Sequence, residues 1–300
     1  MTNLSGLSAF PITPADAAGI VDREALRRIV RRLVEAGVDS IGLLGSTGTY
    51  AYLTREQRRL AIEAAMAEAG GKVPVLVGVG ALRTDEAVKL AQDAKAAGAA
   101  AGLLAPVSYT PLTNDEVYEH FVTVGRESGL PLCIYDNPAT THFTFTPGLV
   151  GRLSRLDGIV ALKTGAQPKE QVGAQLRTLR EAVRHRFSIG CSIDINAPEA
   201  LLAGAETWYS VIGGTLPRAC LAVTRAAQAG DAAEARRLHA AMEPIWETFR
   251  AHTSLRVVYV LADLLGLCRA EPPRPILPLG DWVRGEIAGA LKRLPAELTG

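Results

Sequence analysis

Eight short runs punctuate the chain: LSAF, DSIGLLG, VPVLVGVG, AAGLLAP, LPLCIYD, GIVALKT, RFSIGC and TWYSVIG. Each has the length of a strand and is apolar through most of its positions rather than at every second one. A strand buried on both faces gives that pattern, and parallel strands covered by helices are buried in this way. Segments of helical period lie between the runs. DREALRRIVRRLVEAG starts at Asp22 and stops at Gly37. TREQRRLAIEAAMAEAG starts at Thr54, with Gln57 three residues on as a capping box, and stops at Gly70. TDEAVKLAQDAKAAG and TNDEVYEHFVTVGRESG repeat the design. Strand–helix alternation with short connections predicts an α/β fold of parallel strands and right-handed crossovers.

Eight such units fill residues 1 to about 230, and eight strands close a (β/α)8 TIM barrel. An open doubly wound sheet would carry a glycine-rich dinucleotide turn after its first strand. Here that strand leads into PITPADAAG, and GVGALR at 78–83 lacks the third glycine. Three further helical segments follow, at 231–251, about 254–267 and about 280–294, with EPPRPILP between the last two. They have no strand to cover. The expected division is therefore a catalytic barrel over 1–230 and a helical extension over 231–300, packed on the barrel flank or on a neighbouring subunit.

Only 5% of residues are aromatic, so the core must be built from Ala, Val, Leu and Ile. Thirty-two basic residues face 31 acidic ones, which leaves no basic field to hold nucleic acid. Arg27, Arg28, Arg31 and Arg32 share an amphipathic helix and read as its solvated face. The four cysteines form no CxxC pair. That argues against a disulfide framework or zinc site and fits a reducing cytoplasm. The start has no basic region followed by an apolar run. The longest membrane candidate, 257–265, is too short and contains Asp263. The five histidines are scattered, so no metal cofactor is expected.

In a barrel of this kind the active site forms at the C-terminal ends of the strands. The sixth run delivers Lys163 there, directly after Ile159, Val160, Ala161 and Leu162. A buried lysine is costly while charged, so burial favours the free amine. A free amine facing a ketone forms an imine, which is an electron sink for a neighbouring carbanion. A lysine that snorkels past the strand end to water is the plain alternative. Tyr135, at the end of the adjacent strand, shifts the balance: a phenol beside an imine carbon can relay protons. GSTGT, after the second strand, offers Ser46, Thr47 and backbone N–H groups around Gly48, a nest suited to a carboxylate. It is not a phosphate loop, because the required lysine is missing. Lysine, phenol and nest at one rim make a site for a 2-keto acid.

At these residues the sequence resembles the dihydrodipicolinate synthase / N-acetylneuraminate lyase family of class I aldolases, over nearly its whole length. FPITP at 10–14, GSTGT, the tyrosine of YDNP and the lysine of ALKT carry the likeness. The resemblance implies that Lys163 forms the Schiff base and that Tyr135 donates and accepts protons. It implies that Ser46 and Thr47 bind a pyruvate-type carboxylate, with Thr47 also in a hydroxyl relay to Tyr135. Tyr109 would complete the relay from a neighbouring subunit of a homotetramer, a dimer of dimers. Gly190 and Val211 join Gly48 as substrate-binding positions. Synthases of lysine biosynthesis carry an arginine shortly after the YDNP turn, where this chain has Thr140, and threonine cannot replace its charge. The usual glutamate after the nest is Thr49. The expected function is therefore a Schiff-base lyase on pyruvate or a related 2-keto acid whose second-substrate side has changed, around Thr140, His142, Cys191, Ser192 and Asp194. A 2-keto-3-deoxy sugar acid aldolase or dehydratase fits that change. A true 4-hydroxy-tetrahydrodipicolinate synthase and a non-catalytic 2-keto-acid-binding barrel are the alternatives.

Overall fold

A computed structural model describes residues 4–299. Eight strands, β1 (Gly6–Ala9), β2 (Ser40–Leu43), β3 (Val75–Gly78), β4 (Ala101–Leu104), β5 (Leu132–Tyr135), β6 (Ile159–Gly165), β7 (Ser188–Ser192) and β8 (Thr207–Ser210), close a parallel barrel in chain order. Each expected run supplies one strand. Alternation along the strands splits the core in two. Phe10, Leu76, Leu103, Cys133, Tyr135, Ala161 and Tyr209 form a cluster of their own, which fills the barrel. The much larger second cluster joins the other strand faces to the surrounding helices.

The helices start and stop where local chemistry directs. Asp22 caps Arg23–Ala36 by accepting from the Ala25 N–H, and Gly37 ends that helix in the left-handed region at φ 77°. Thr54 caps Arg55–Ala69, but Gln57 does not close a reciprocal capping box. Its side chain instead accepts from the Val21 N–H at 2.9 Å and pins the loop after β1. The reciprocal box occurs at Thr113 and Glu116. Arg32 departs from its solvated helix face: half-buried, it donates to the Thr215 carbonyl.

The stretch 231–251 is two helices, Ala232–Ala240 and Glu243–His252. Pro244, in the first turn of the second, cannot continue the first. Two short helices that the run pattern did not single out, Pro138–Thr141 and Pro147–Ser154, fill the β5–β6 connection. The C-terminal helices meet the barrel near β7 and β8. Arg236 forms a two-pronged bond to Glu199, and His239 Nε2 lies 2.9 Å from the Asp194 carbonyl. Among the described residues no helix is long and apolar enough to cross a membrane.

His120, on the helix Asn114–Ser128, gives a pH-dependent test of this packing. Its Nδ1 meets the Thr84 hydroxyl at 2.9 Å, while its buried Nε2 has no partner among the described residues. Burial pushes the imidazole down to about 4. The unfolded chain therefore takes up this proton near 6.5, before the folded chain does. Stability is full above pH 6.5 and falls as pH drops towards 4, by up to about 1.4 kcal/mol per unit. Denaturant melts of the native chain and His120→Gln over that window should differ by such a slope.

Candidate active site

Strand register builds the site. Tyr135 on β5 pairs with Lys163 on β6, and Lys163 pairs with Gly190 on β7. The three therefore form one row across neighbouring strands, and its side chains face into the barrel. Lys163 is 6% exposed and Tyr135 4%. The lysine Nζ sits 3.9 Å from the Tyr135 ring centroid and 5.2 Å from that of Phe10. It does not snorkel to water. Gly190 makes room for β8 beside this row: a Cβ there would meet Tyr209 Cε2 at 2.4 Å.

The Tyr135 hydroxyl lies 2.8 Å from Ser46 Oγ and accepts from Asn137 Nδ2 at 3.1 Å. Asn137 Nδ2 also reaches Ser46 Oγ, at 3.4 Å. Burial pushes this phenol up. The Lys163 ammonium over its ring and the hydrogen bonds from Ser46, Lys163 and Asn137 outweigh that, and hold it below the usual tyrosine range. The hydroxyl that meets the phenol is that of Ser46, where Thr47 was expected to reach it. Thr47 and Thr49 are buried in the same turn.

That turn is strained. Leu44 has φ 54° and Thr49 φ 49°, left-handed values that cost a non-glycine residue roughly 1–3 kcal/mol each. They flank Gly45, Ser46, Thr47 and Gly48. At Gly48 the chain passes so close to Thr13 that a Cβ would lie 2.9 Å from Thr13 Oγ1.

Register and hydrogen bonding also remove two candidates. Cys191 pairs with Thr164, one position out of step with the Lys163 row, and so faces the helices. Burial pushes its thiol up to about 12, which leaves it inert. Asp194 is buried, and its carboxylate accepts from Trp208 Nε1, Ser210 Oγ and the N–H groups of Val211 and Ile212, at 2.7–3.4 Å. It holds the end of β8 and has no free face for a substrate, although burial pushes its pKa up. Val211 enters that cluster through its backbone.

The remaining candidates lie at the mouth. Ser192 donates to the Thr164 carbonyl at 3.2 Å. Thr140, exposed on Pro138–Thr141, donates to the Asn137 carbonyl at 3.2 Å. His142 ends the same helix at φ 56°, also exposed. Tyr109 is 98% exposed in the single chain, on the loop after β4. Asn137 and Phe10 were not foreseen as site residues; the YDNP and FPITP motifs contain them without marking them. Two surface grooves, of about 820 and 440 Å³, lie elsewhere, and neither is lined by Lys163 or Tyr135. Among the described residues no three His, Cys, Asp or Glu side chains are grouped to hold a metal ion.

A closed eight-stranded barrel with a lysine buried against a phenol at the C-terminal ends of its strands defines a class: lyases of class I aldolase type. The family follows from comparison. Residues 3–294 match the model of the dihydrodipicolinate synthetase family, and the chain belongs to it. A 4-hydroxy-tetrahydrodipicolinate synthase of Alcanivorax borkumensis is 34% identical over 94% of this chain and 95% of its own. A crystal structure of dihydrodipicolinate synthase from Agrobacterium tumefaciens is 52% identical, with a TM-score of 0.95 over 98% of this chain and 99% of its own. Another, from Acinetobacter baumannii, solved in complex with pyruvate, is 27% identical, with a TM-score of 0.88 over 98% of this chain and 99% of its own.

Proposed function

We propose that the chain forms a Schiff base between Lys163 and pyruvate or a related 2-keto acid, and makes or breaks a bond at the adjacent carbon. The observation that carries this reading is the buried Lys163 Nζ, 3.9 Å from the Tyr135 ring centroid. The pyruvate bound to the Acinetobacter baumannii relative supports it. The acid group lies in the 45–49 turn, among the hydroxyls of Ser46 and Thr47 and the backbone N–H groups around Gly48. Lys163 Nζ, once its proton has passed to the relay around Tyr135, attacks C2 and gives a carbinolamine. Tyr135, backed by Ser46, carries the proton that lets water leave. The resulting iminium draws electrons from C3; loss of a proton or of a carbon fragment there gives the enamine. The reverse sequence joins a new partner at C3. The imine is the electron sink, so the scheme uses no cofactor. Tyr109 from a neighbouring copy completes the relay, in a tetramer built as two dimers, and a reducing cytoplasm suits the four free cysteines.

On this reading the second substrate is not aspartate semialdehyde. A short helix with Thr140 and His142 exposed stands where the synthases place a guanidinium, and a neutral threonine offers a carboxylate no charge-assisted pair. A 2-keto-3-deoxy sugar acid, cleaved or dehydrated, presents hydroxyls there instead. Gly190, Ser192 and Val211 complete this side of the site. The names of relatives such as the Alcanivorax borkumensis enzyme favour the synthase reading, and assay decides between the two. With pyruvate present, aspartate semialdehyde should turn over about 100-fold less efficiently than a 2-keto-3-deoxy sugar acid is consumed; efficient use of the semialdehyde would restore the synthase reading.

Borohydride reduction with pyruvate should leave a mass adduct on Lys163, and Lys163→Ala should show neither adduct nor turnover while melting as a folded barrel. An adduct elsewhere, or none with any 2-keto acid, points to a binding barrel without catalysis. Tyr135→Phe keeps the ring under Nζ and deletes the hydroxyl. It should slow turnover by about two to four orders of magnitude, and parental rates in this variant would make Tyr135 a structural residue.

A further inference from the structure

Arg58 is a buried cation with no counter-ion among the described residues. It projects from Arg55–Ala69, is 7% exposed, and has no carboxylate acting on it among the described residues. Its Nη1 donates to the Gly80 carbonyl at 3.0 Å and its Nε to the Leu53 carbonyl at 3.3 Å. Its Cζ stands 5.0 Å from the Tyr50 ring centroid. Burying a guanidinium with no carboxylate beside it is expensive, and a chain that only needed packing would place an apolar side chain there.

The three groups that Arg58 holds have one thing in common. Tyr50 opens the 3-10 turn Tyr50–Tyr52 and Leu53 closes it, directly after the strained Thr49. Gly80 lies just past the end of β3, where a Cβ would come within 3.2 Å of the Tyr50 hydroxyl. Backbone bonds continue the connection: the Thr49 N–H donates to the Ser46 carbonyl at 3.0 Å and the Tyr52 N–H to the Thr49 carbonyl at 3.0 Å. Ser46 Oγ then meets the Tyr135 hydroxyl at 2.8 Å. The path from the guanidinium to the phenol is thus an unbroken series of contacts. Burial pushes the Tyr50 phenol up, its neighbour Tyr135 adds to that rise, and the Arg58 guanidinium opposes it.

We propose that Arg58 is a positioning residue for the reaction: its guanidinium, forked between two carbonyls and a ring, sets the 45–49 turn and, through Ser46, the aim of the Tyr135 hydroxyl. This rests on the reading of Tyr135 as the group that moves protons at the Lys163 imine. Lysine cannot replace the fork, because it is a point charge without a fixed planar set of donors.

The full-length enzyme tests this in deuterated water. Exchange of the pyruvate methyl protons, followed by NMR, needs both the imine and the proton relay; borohydride trapping reports the imine alone. In Arg58→Ala the exchange rate at saturating pyruvate should fall about 10- to 100-fold, with the half-saturating pyruvate concentration little changed. Millimolar guanidinium should restore part of the lost rate. Arg58→Lys, which keeps the charge, should also be slow, and it stands in should the alanine variant fail to fold. Parental exchange in either folded variant would overturn the proposal. So would a loss that falls on the half-saturating concentration alone and that guanidinium does not restore. No adduct in the unaltered enzyme would sink the Lys163 reading and this one with it; equal adduct and equal exchange in the unaltered and Arg58→Ala enzymes would sink this one alone.

Discussion

The pairing of β5 with β6 is the constraint on which the site depends. It sets Tyr135 beside Lys163 with both side chains pointing into a closed ring of strands. In a parallel pair, a slip of one residue turns a side chain to the other face. Such a slip here would send the lysine out among the helices and bring Thr164 in. Closure of the ring and the covering helices prevent it. Asp136 and Thr164, hydrogen bonded at 2.8 Å, add a tie on the outward face of the same two strands.

Around this pair the chain holds several unfavourable arrangements close together: a buried lysine, a buried phenol, two left-handed non-glycine residues and an arginine with no counter-ion among the described residues. Each costs free energy alone. Together they are mutually supporting, because the ammonium rests on the phenol ring, Ser46 and Asn137 hold the phenol's oxygen, and the strained turn carries Ser46. Asp194 shows the contrasting outcome. It is equally buried, but its oxygens are occupied by donors on and just after β8, so it supports the scaffold and offers nothing to a substrate.

The barrel was legible because continuous apolar runs and capped amphipathic helices report burial directly, and each run became one strand. Lys163 and Tyr135 were legible because each ends such a run, where a polar side chain must face the rim. What lay between them was not. Whether Ser46 or Thr47 touches the phenol depends on the left-handed turn at Leu44 and Thr49, and neither residue type announces such a backbone. Cys191 and Asp194 looked like site residues from their place at and just past the end of β7; register and hydrogen bonding turn them away. Gln57 looked like a capping-box partner, and a tertiary bond to Val21 took its side chain instead. Arg58 is one more polar position in the helical run that starts at Thr54, and spacing carries no sign of a loop folding over it.

The mouth of the barrel differs from its floor in kind. Below, geometry is fixed by packing and register. Above, Thr140, His142 and Tyr109 are exposed in the single chain. The account as a whole stands on the floor, and a crystal soaked with pyruvate examines it most directly. Electron density should run unbroken from Lys163 Nζ to C2, with the acid group in the 45–49 turn and the Tyr135 hydroxyl turned to the new bond. A lysine left unmodified, with pyruvate lodged in another part of the molecule, would contradict it.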